Sequence, residues 1–165
     1  MLAVISGIVM LLTAASFGYA QTVHSDPDGY YKLQVPAGWQ VQTQANGVSL
    51  LKESSYASAL RMKGQGTPRA LIEFFASRIG SQWKKFDGAS AGDSQFGGRP
   101  GAYAWFTGIN PKGIEAVLKI VTTTDGESGY AMLLSASRSD FASVKADFER
   151  IEAGFEITKP FNKPK

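Results

Sequence analysis

The sequence of 165 residues is long enough to bury an ordinary hydrophobic core, and it contains no cysteine and a single histidine. Disulfide bonds and a histidine-rich zinc site are therefore excluded. The formal net charge is +3, but three lysines lie in the last seven residues, so the rest of the chain carries 14 basic and 14 acidic residues. This balance argues against nucleic-acid binding, which needs a basic surface to neutralise phosphates.

The first 21 residues carry no charge and begin with an apolar stretch from Leu2 to Leu12. Such a stretch, followed by the small residues Gly18 and Ala20, is typical of a secretory signal peptide and too short for a membrane span. We therefore predict a signal peptide at residues 1–20, with an uncleaved N-terminal anchor as the alternative. One domain is expected at residues 21–158, followed by a basic tail with prolines at residues 159–165.

Residues 26–39 join two turns and a strand in a recognisable order. Asp26-Pro-Asp-Gly29 has turn composition, Tyr30 to Val35 is rich in strand formers, and Pro36-Ala-Gly38 ends the strand. Trp39 then opens the next strand. We predict that this segment leads into the sheet, with Tyr30 and Trp39 as core anchors.

The next stretch has the signals of a hairpin followed by a helix. Asn46-Gly47 predicts a type I′ turn, because both central positions of that turn need positive φ. Strands are expected at residues 48–52 and 57–62. Thr67 and Pro68 then predict the start of a helix that runs to about Gly80, since Thr caps exposed amides and Pro fits the first turn.

On this predicted helix, Ile72, Phe75, Ala76 and Ile79 have the spacing of one buried stripe. Phe74 is out of register with the stripe. It therefore either packs under a neighbouring loop or is partly exposed.

A glycine-rich stretch from Gly88 to Gly101 precedes a predicted strand. Phosphate-binding loops instead lie between a strand and the N-terminus of a helix. Hairpin turns are therefore favoured over a nucleotide site.

The second half of the domain predicts an antiparallel meander and a closing helix. Strands are expected at residues 102–109, 114–123 and 130–137, because turn residues separate them. A helix begins near Ser139 and ends at Gly154, and a short strand follows. Tyr103 and Trp105 share one face of the first meander strand with Thr107, where they either line a binding groove or pack beneath a helix.

Three motifs carry a family resemblance: Asp28-Gly-Tyr-Tyr31, Val35-Pro-Ala-Gly-Trp39 and Phe148-Glu-Arg-Ile-Glu-Ala-Gly-Phe155. Their order resembles the Mog1/PsbP-like superfamily, in its PsbP-like or bacterial extracytoplasmic branch, over residues 28–157. The resemblance implies an α+β fold in which an antiparallel β-sheet is sandwiched by helices. It also implies a noncatalytic role, since PsbP-like proteins support photosystem assemblies in the thylakoid lumen and Mog1 binds a small GTPase.

The single histidine weakens most enzymatic alternatives. His24 is expected in a mobile N-terminal arm, which does not hold a catalytic base in fixed geometry. His24, Asp26 and Asp28 match no EF-hand loop, so they are interpreted as solvated turn residues.

We therefore expect an exported, noncatalytic protein that binds a protein partner or a membrane-associated assembly. Its location is the periplasm, or the thylakoid lumen if the source is photosynthetic. The candidate partner-binding residues are Phe74, Tyr103 and Trp105, and no catalytic residue, cofactor or metal ligand is predicted. Two alternatives remain open: a carrier of a small apolar ligand near Tyr103 and Trp105, and a carboxylate-based hydrolase built from some of the 14 acidic residues.

Overall fold

The computed structural model describes residues 22–64 and 66–159, which form ten strands and two helices. In chain order these are β1 (Thr22–Ser25), β2 (Tyr31–Val35), β3 (Gln40–Gln44), β4 (Gly47–Lys52), β5 (Ser55–Lys63), α1 (Pro68–Gly80), β6 (Lys85–Phe96), β7 (Arg99–Ile109), β8 (Glu115–Thr124), β9 (Ser128–Ser137), α2 (Phe141–Ala153) and β10 (Glu156–Ile157). The predicted signal peptide and nearly all of the predicted tail lie outside the described residues. Within those residues, no helix combines the length and apolar content that crossing a membrane requires.

Seven strands form one antiparallel sheet in the order β3-β4-β5-β9-β8-β7-β6. A second antiparallel sheet has the order β1-β2-β10. Helix α1 packs on β7, β8 and β9, whereas α2 packs against β2, β5 and β9. The predicted α+β fold, with an antiparallel sheet between helices, is confirmed.

The large sheet buries apolar side chains on both of its faces. On β9, Tyr130, Met132 and Leu134 belong to the core beneath α2, while Ala131 and Leu133 belong to the core beneath α1. This division follows from the alternation of side chains along a strand. Each helix therefore covers its own apolar face of the same sheet.

The structure agrees with only part of the prediction for the segment from Asp26 to Trp39. Trp39 is buried and packs on Phe148 of α2 with ring centroids 5.8 Å apart, so it is a core anchor. Tyr30 is half-buried beneath the Arg61 guanidinium, which lies 3.3 Å from the ring centroid. Strand β2, however, belongs to the small sheet, so this segment does not join the large sheet until β3.

The predicted bounds of α1 are confirmed, and so is its N-terminal cap. The Thr67 hydroxyl accepts a hydrogen bond of 3.1 Å from the backbone amide of Ala70, and Pro68 occupies the first turn. Ile72 and Phe75 are buried, while Phe74 is 46% exposed. The alternative in which a loop covers Phe74 is therefore wrong.

Two details, the glycine-rich stretch and His24, differ from the sequence-based expectations. Residues 88–96 of the glycine-rich stretch belong to the strand β6, and within the stretch only Gly97 and Gly98, both at positive φ, form the hairpin turn to β7. His24 lies in β1, opposite Leu33 of β2, and is not in a mobile arm. The sequence pattern did not predict β6, because its exposed Gly, Ala and Ser residues lack the apolar alternation of a half-buried strand.

The hairpin near Asn46 forms, but its turn is not the predicted type. Gln44 pairs with Gly47, so Ala45 and Asn46 form the turn, and neither Asn46 nor Gly47 is at positive φ. Gly47 lies inside β4, where a Cβ atom would be 2.0 Å from the carbonyl oxygen of Ala59. Close approach of the backbones, and not turn geometry, therefore requires glycine there.

The Asp147 carboxylate on α2 ties the helix to the start of the large sheet. It accepts hydrogen bonds of 2.9 Å from Trp39 Nε1 and from Lys52 Nζ, and its side chain is 14% exposed. Burial acts to raise the pKa of Asp147, but these hydrogen bonds and the positive charges of Lys52 and Arg150 outweigh it and lower the pKa.

We expect Asp147→Ala to lower the free energy of unfolding by about 2 kcal/mol, because the indole and the ammonium both lose a charged partner. Chemical denaturation measures this change. The matched control is Glu149→Ala on the same helix, since Glu149 forms an exposed ion pair of 3.8 Å with Lys145. The control should cost less than about 0.5 kcal/mol.

The Asp147→Ala variant also tests how the contribution of Asp147 to stability depends on pH. Because the pKa of Asp147 is lower in the folded state, its stabilising effect is complete above its ordinary value of 3.8 and is lost as the pH falls through the folded pKa. The stability difference between wild type and Asp147→Ala should therefore shrink below about pH 4. A stability difference between the two proteins that stays constant down to about pH 2 would contradict the lowered pKa assigned to Asp147.

Candidate functional site

An open groove lies between α1 and the strands β6 and β7, and we call it the α1 groove. Its volume is about 510 Å³. Its lining consists of Arg69, Ile72, Glu73 and Ala76 of α1, residues 88–92 of β6 and residues 102–106 of β7.

The α1 groove exists because small side chains lie beneath and beside the helix. Ala102 and Ala104 of β7 form its floor, and Ala76 faces it from α1. The wall that β6 contributes is Gly88-Ala-Ser-Ala-Gly92, which has no large side chain. Larger residues at these positions would fill the space between the helix and the edge of the sheet.

The two ends of the α1 groove have different chemistry. At the Ala102 end, Arg69 of α1 reaches across to Asp93 of β6 with an ion pair of 2.7 Å. At the other end, Phe106 stacks on Phe86 with ring centroids 4.7 Å apart. The groove is therefore apolar along its floor, with a charged end and an aromatic end.

A second surface lies on the opposite face of β7, and we call it the aromatic patch: Tyr103, Trp105, Lys119 and Glu152. The Lys119 ammonium lies 5.7 Å from the Tyr103 ring centroid and 5.5 Å from that of Trp105. It also forms an ion pair of 2.6 Å with Glu152 of α2, and both charged side chains are less than one-fifth exposed. Both aromatic residues are half-buried, and Trp105 contacts Phe141 of α2 edge to face.

The three predicted partner-binding residues do not form one surface. Tyr103 and Trp105 come together in the aromatic patch on the α2 side of the sheet. Phe74 lies on α1, on the other side of the sheet, where its ring contacts Phe75 and Arg78. Because side chains alternate along β7, the side chains of Tyr103 and Trp105 also point away from the α1 groove.

Sequence reasoning missed the residues that create the α1 groove. Ala102 and Ala104 alternate with Tyr103 and Trp105, so the pattern predicts one face of small residues and one of large residues. The alternation of small and large residues was therefore visible in the sequence. Only the position of α1 above the small face turns it into a groove.

Across the part of the chain that the structure describes, the ionisable groups show no arrangement for metal binding. Within residues 22–64 and 66–159, no three histidine or acidic side chains gather closely enough to hold a metal ion. His24 Nε2 is buried and has no hydrogen-bond partner among those residues. Burial lowers the pKa of His24, although the charge of Asp26 acts in the opposite direction.

Several solved structures share this architecture across most of the chain. The cyanobacterial PsbP protein CyanoP of Synechocystis sp. PCC 6803 superposes with a TM-score of 0.65 at 15% identity, covering 94% of this chain and 98% of that chain. The Ran-binding protein Mog1p of Saccharomyces cerevisiae superposes with a TM-score of 0.59 at 8% identity, covering 86% and 97%. The chain has the Mog1/PsbP-like fold.

Another protein with the Mog1/PsbP-like fold is LpqN of Mycobacterium tuberculosis, which is involved in cell envelope biogenesis. It superposes with a TM-score of 0.58 at 14% identity, covering 85% of this chain and 91% of that chain. No protein-family model and no curated protein matches the sequence. The structural similarities therefore establish the fold alone.

We expect Lys119→Met to lower the free energy of unfolding by about 2 kcal/mol, because it leaves the Glu152 carboxylate largely buried without its partner. The double variant Lys119→Met/Glu152→Met should recover to within about 1 kcal/mol of wild type, since it removes both charges. Equilibrium denaturation of the three proteins measures the coupling. Additive losses in the double variant would show that the two side chains do not act as a pair.

Proposed function

We propose that this protein is a noncatalytic binding protein that acts outside the cytoplasm and holds an apolar part of a protein partner in the α1 groove. The observation that carries this proposal is the α1 groove itself, an open apolar channel of about 510 Å³ at the protein surface. Apolar pockets with a few polar groups at their margin are the usual sites of recognition.

The chemistry of the groove fits a protein partner. Ala102 and Ala104 form an apolar centre, while Arg69, Glu73 and Asp93 lie at or beside the charged end. Protein interfaces have this organisation, with an apolar centre that receives an anchor side chain and a polar rim that stays hydrated. Residues 89–91 of β6 are exposed, so an occupant stays in contact with solvent along one side.

Three of the aspartates do not have the pKa that an acid catalyst needs. A carboxylate-based hydrolase needs a general acid whose pKa is raised toward neutrality. The pKa is lowered at Asp125, Asp140 and Asp147, so none of these three aspartates is such a general acid. At Asp125, burial acts to raise the pKa, but hydrogen bonds from Ser128, Glu127 and Tyr130 outweigh it.

Two similarities of fold agree with this role. Mog1p is a Ran-binding protein, so the fold is used to bind another protein. LpqN is involved in cell envelope biogenesis, which agrees with the export signal predicted at residues 1–20. We infer an extracytoplasmic location, the periplasm or, in a photosynthetic source, the thylakoid lumen.

Ala76→Leu should reduce partner binding at least ten-fold, because the larger side chain fills the α1 groove while leucine remains a good helix former. Wild-type and variant proteins would serve as bait for solubilised envelope proteins of the source organism, with quantitative mass spectrometry as the readout. The matched control is Ala70→Leu, which lies on the same helix, is exposed and does not line the groove. Equal recovery of the same proteins by Ala76→Leu and Ala70→Leu would contradict the proposal.

A carrier of a small apolar ligand is the second candidate, because the volume of the α1 groove falls within the range of about 300 to 1,000 Å³ typical of ligand pockets. The α1 groove lies on one face of β7. The carrier site expected from the sequence, near Tyr103 and Trp105, lies on the opposite face. The fluorescent probe 1-N-phenylnaphthylamine tests this function directly. A protein-binding role predicts no saturable micromolar binding, whereas saturable binding that Ala76→Leu abolishes and Ala70→Leu preserves would favour the carrier.

A further inference from the structure

The two outer strands of the large sheet differ in how they discourage pairing with another strand. β6 carries Lys85, Asp87 and Asp93, and its register shifts between Gly88 and Ser90. Charged side chains and irregularities of this kind prevent a further strand from adding to an edge. β6 is therefore a protected edge.

β3, at the other edge, has none of these protections. Its sequence is Gln40-Val-Gln-Thr-Gln44, which contains no charge and no proline, and all five residues are exposed. It pairs with β4 without any irregularity of register. The charged residue on β4 is Lys52, which is held by Asp147 of α2. Among the described residues, no strand pairs with the outer side of β3.

The hairpin determines which backbone groups of β3 point outward. Gln44 and Gly47 close a two-residue turn and are therefore a hydrogen-bonded pair. Because hydrogen-bonded and non-hydrogen-bonded pairs alternate, Gln42 also bonds to β4, whereas Val41 and Thr43 direct their N–H and C=O groups to the outer edge. The outer edge thus presents two residues whose backbone donors and acceptors have no partner within residues 22–64 and 66–159.

We propose that two copies of this protein associate through β3, antiparallel and about a two-fold axis at Gln42. In this register Val41 of each copy lies opposite Thr43 of the other, so each such pair exchanges two backbone hydrogen bonds. Gln42 lies opposite its own equivalent, and Gln40 lies opposite Gln44. The result is one continuous sheet across the dimer.

The side chains of β3 favour a second copy of this chain as the occupant. The strand has nearly the same chemistry in both directions, so an antiparallel copy places amide beside amide and a β-branched residue beside a β-branched residue. No like charges meet. A symmetric pairing of β6 about Ser90 would instead place Asp87 opposite Asp93, which is unfavourable.

The absence of cysteine from the sequence allows a direct test, because one introduced cysteine has no native thiol to react with. In the proposed register, Gln42→Cys places the two thiols in a non-hydrogen-bonded pair with Cα atoms about 4.5 Å apart, within reach of a disulfide. Gln40→Cys places the two thiols four residues apart along the strand, roughly 14 Å, which no disulfide spans.

The experiment is mild oxidation of the purified full-length chain followed by non-reducing electrophoresis. Gln42→Cys should form at least ten times more covalent dimer than Gln40→Cys. Because five residues on each side make a small interface, dimer formation should rise with protein concentration. Equal dimer yields from the two variants would indicate random collision and would overturn the proposal, as would the absence of dimer from both.

A second comparison uses proline at outward-pointing positions. In the Gln42→Cys background, Thr43→Pro removes a backbone N–H that bonds to the other copy and not to β4. Crosslinking should therefore fall at least ten-fold, while the thermal melt should show a folded protein. Ala91→Pro is the matched control on β6, since the pair Phe96 and Arg99 closes the Gly97-Gly98 turn and alternation directs Ala91 outward. Crosslinking unchanged by Thr43→Pro, or reduced equally by Ala91→Pro, would show that another surface joins the copies.

Discussion

The whole structure depends on burial of the large sheet on both faces. β9 illustrates the constraint, because Tyr130, Met132 and Leu134 need one apolar cover while Ala131 and Leu133 need another. Exposing either set to water would lose roughly 25 cal/mol for each Å² of apolar area. Helix α1 covers one face, and α2 together with β2 covers the other. Helix α1 precedes the strands β7, β8 and β9 that it covers, whereas α2 follows β2, β5 and β9, so the two covers are added from different points of the chain.

The same alternation of side chains separates two surfaces with different properties along β7. Tyr103 and Trp105 fill the space at the side of α2, where they surround the Lys119 ammonium and its carboxylate partner. Ala102 and Ala104 leave space beneath α1, and that space is the α1 groove. A strand with large residues on one face and small residues on the other thus packs tightly on one side and offers a binding surface on the other. The proposed function uses the side that is not tightly packed.

The edges of the sheet show a second asymmetry. β6 ends the sheet with charges and an irregular register, whereas β3 ends it with five uncharged residues in regular register. The Asp147 carboxylate on α2 restrains the start of β3 through Trp39 and holds the single charge of β4 through Lys52. Partner binding at the α1 groove and pairing through β3 use opposite ends of the sheet, so both are compatible in one molecule.

The sequence by itself determined the elements whose signals are local. Thr67 and Pro68 start α1 and the apolar stripe continues it, and Asn110-Pro-Lys-Gly113 and Asp125-Gly126 separate the meander strands. The motif order resembles that of the Mog1/PsbP-like superfamily, and the fold that this resemblance implies is the one observed. Tertiary structure alone decided which residues meet. Gly88 to Gly92 form a strand only because β7 supplies hydrogen-bond partners, and β2 pairs with β10 from the far end of the chain. Phe74 and Tyr103 both looked like binding residues, but their separation by a sheet depends on where α1 lies, which is set by packing over long sequence distances and not by any local pattern.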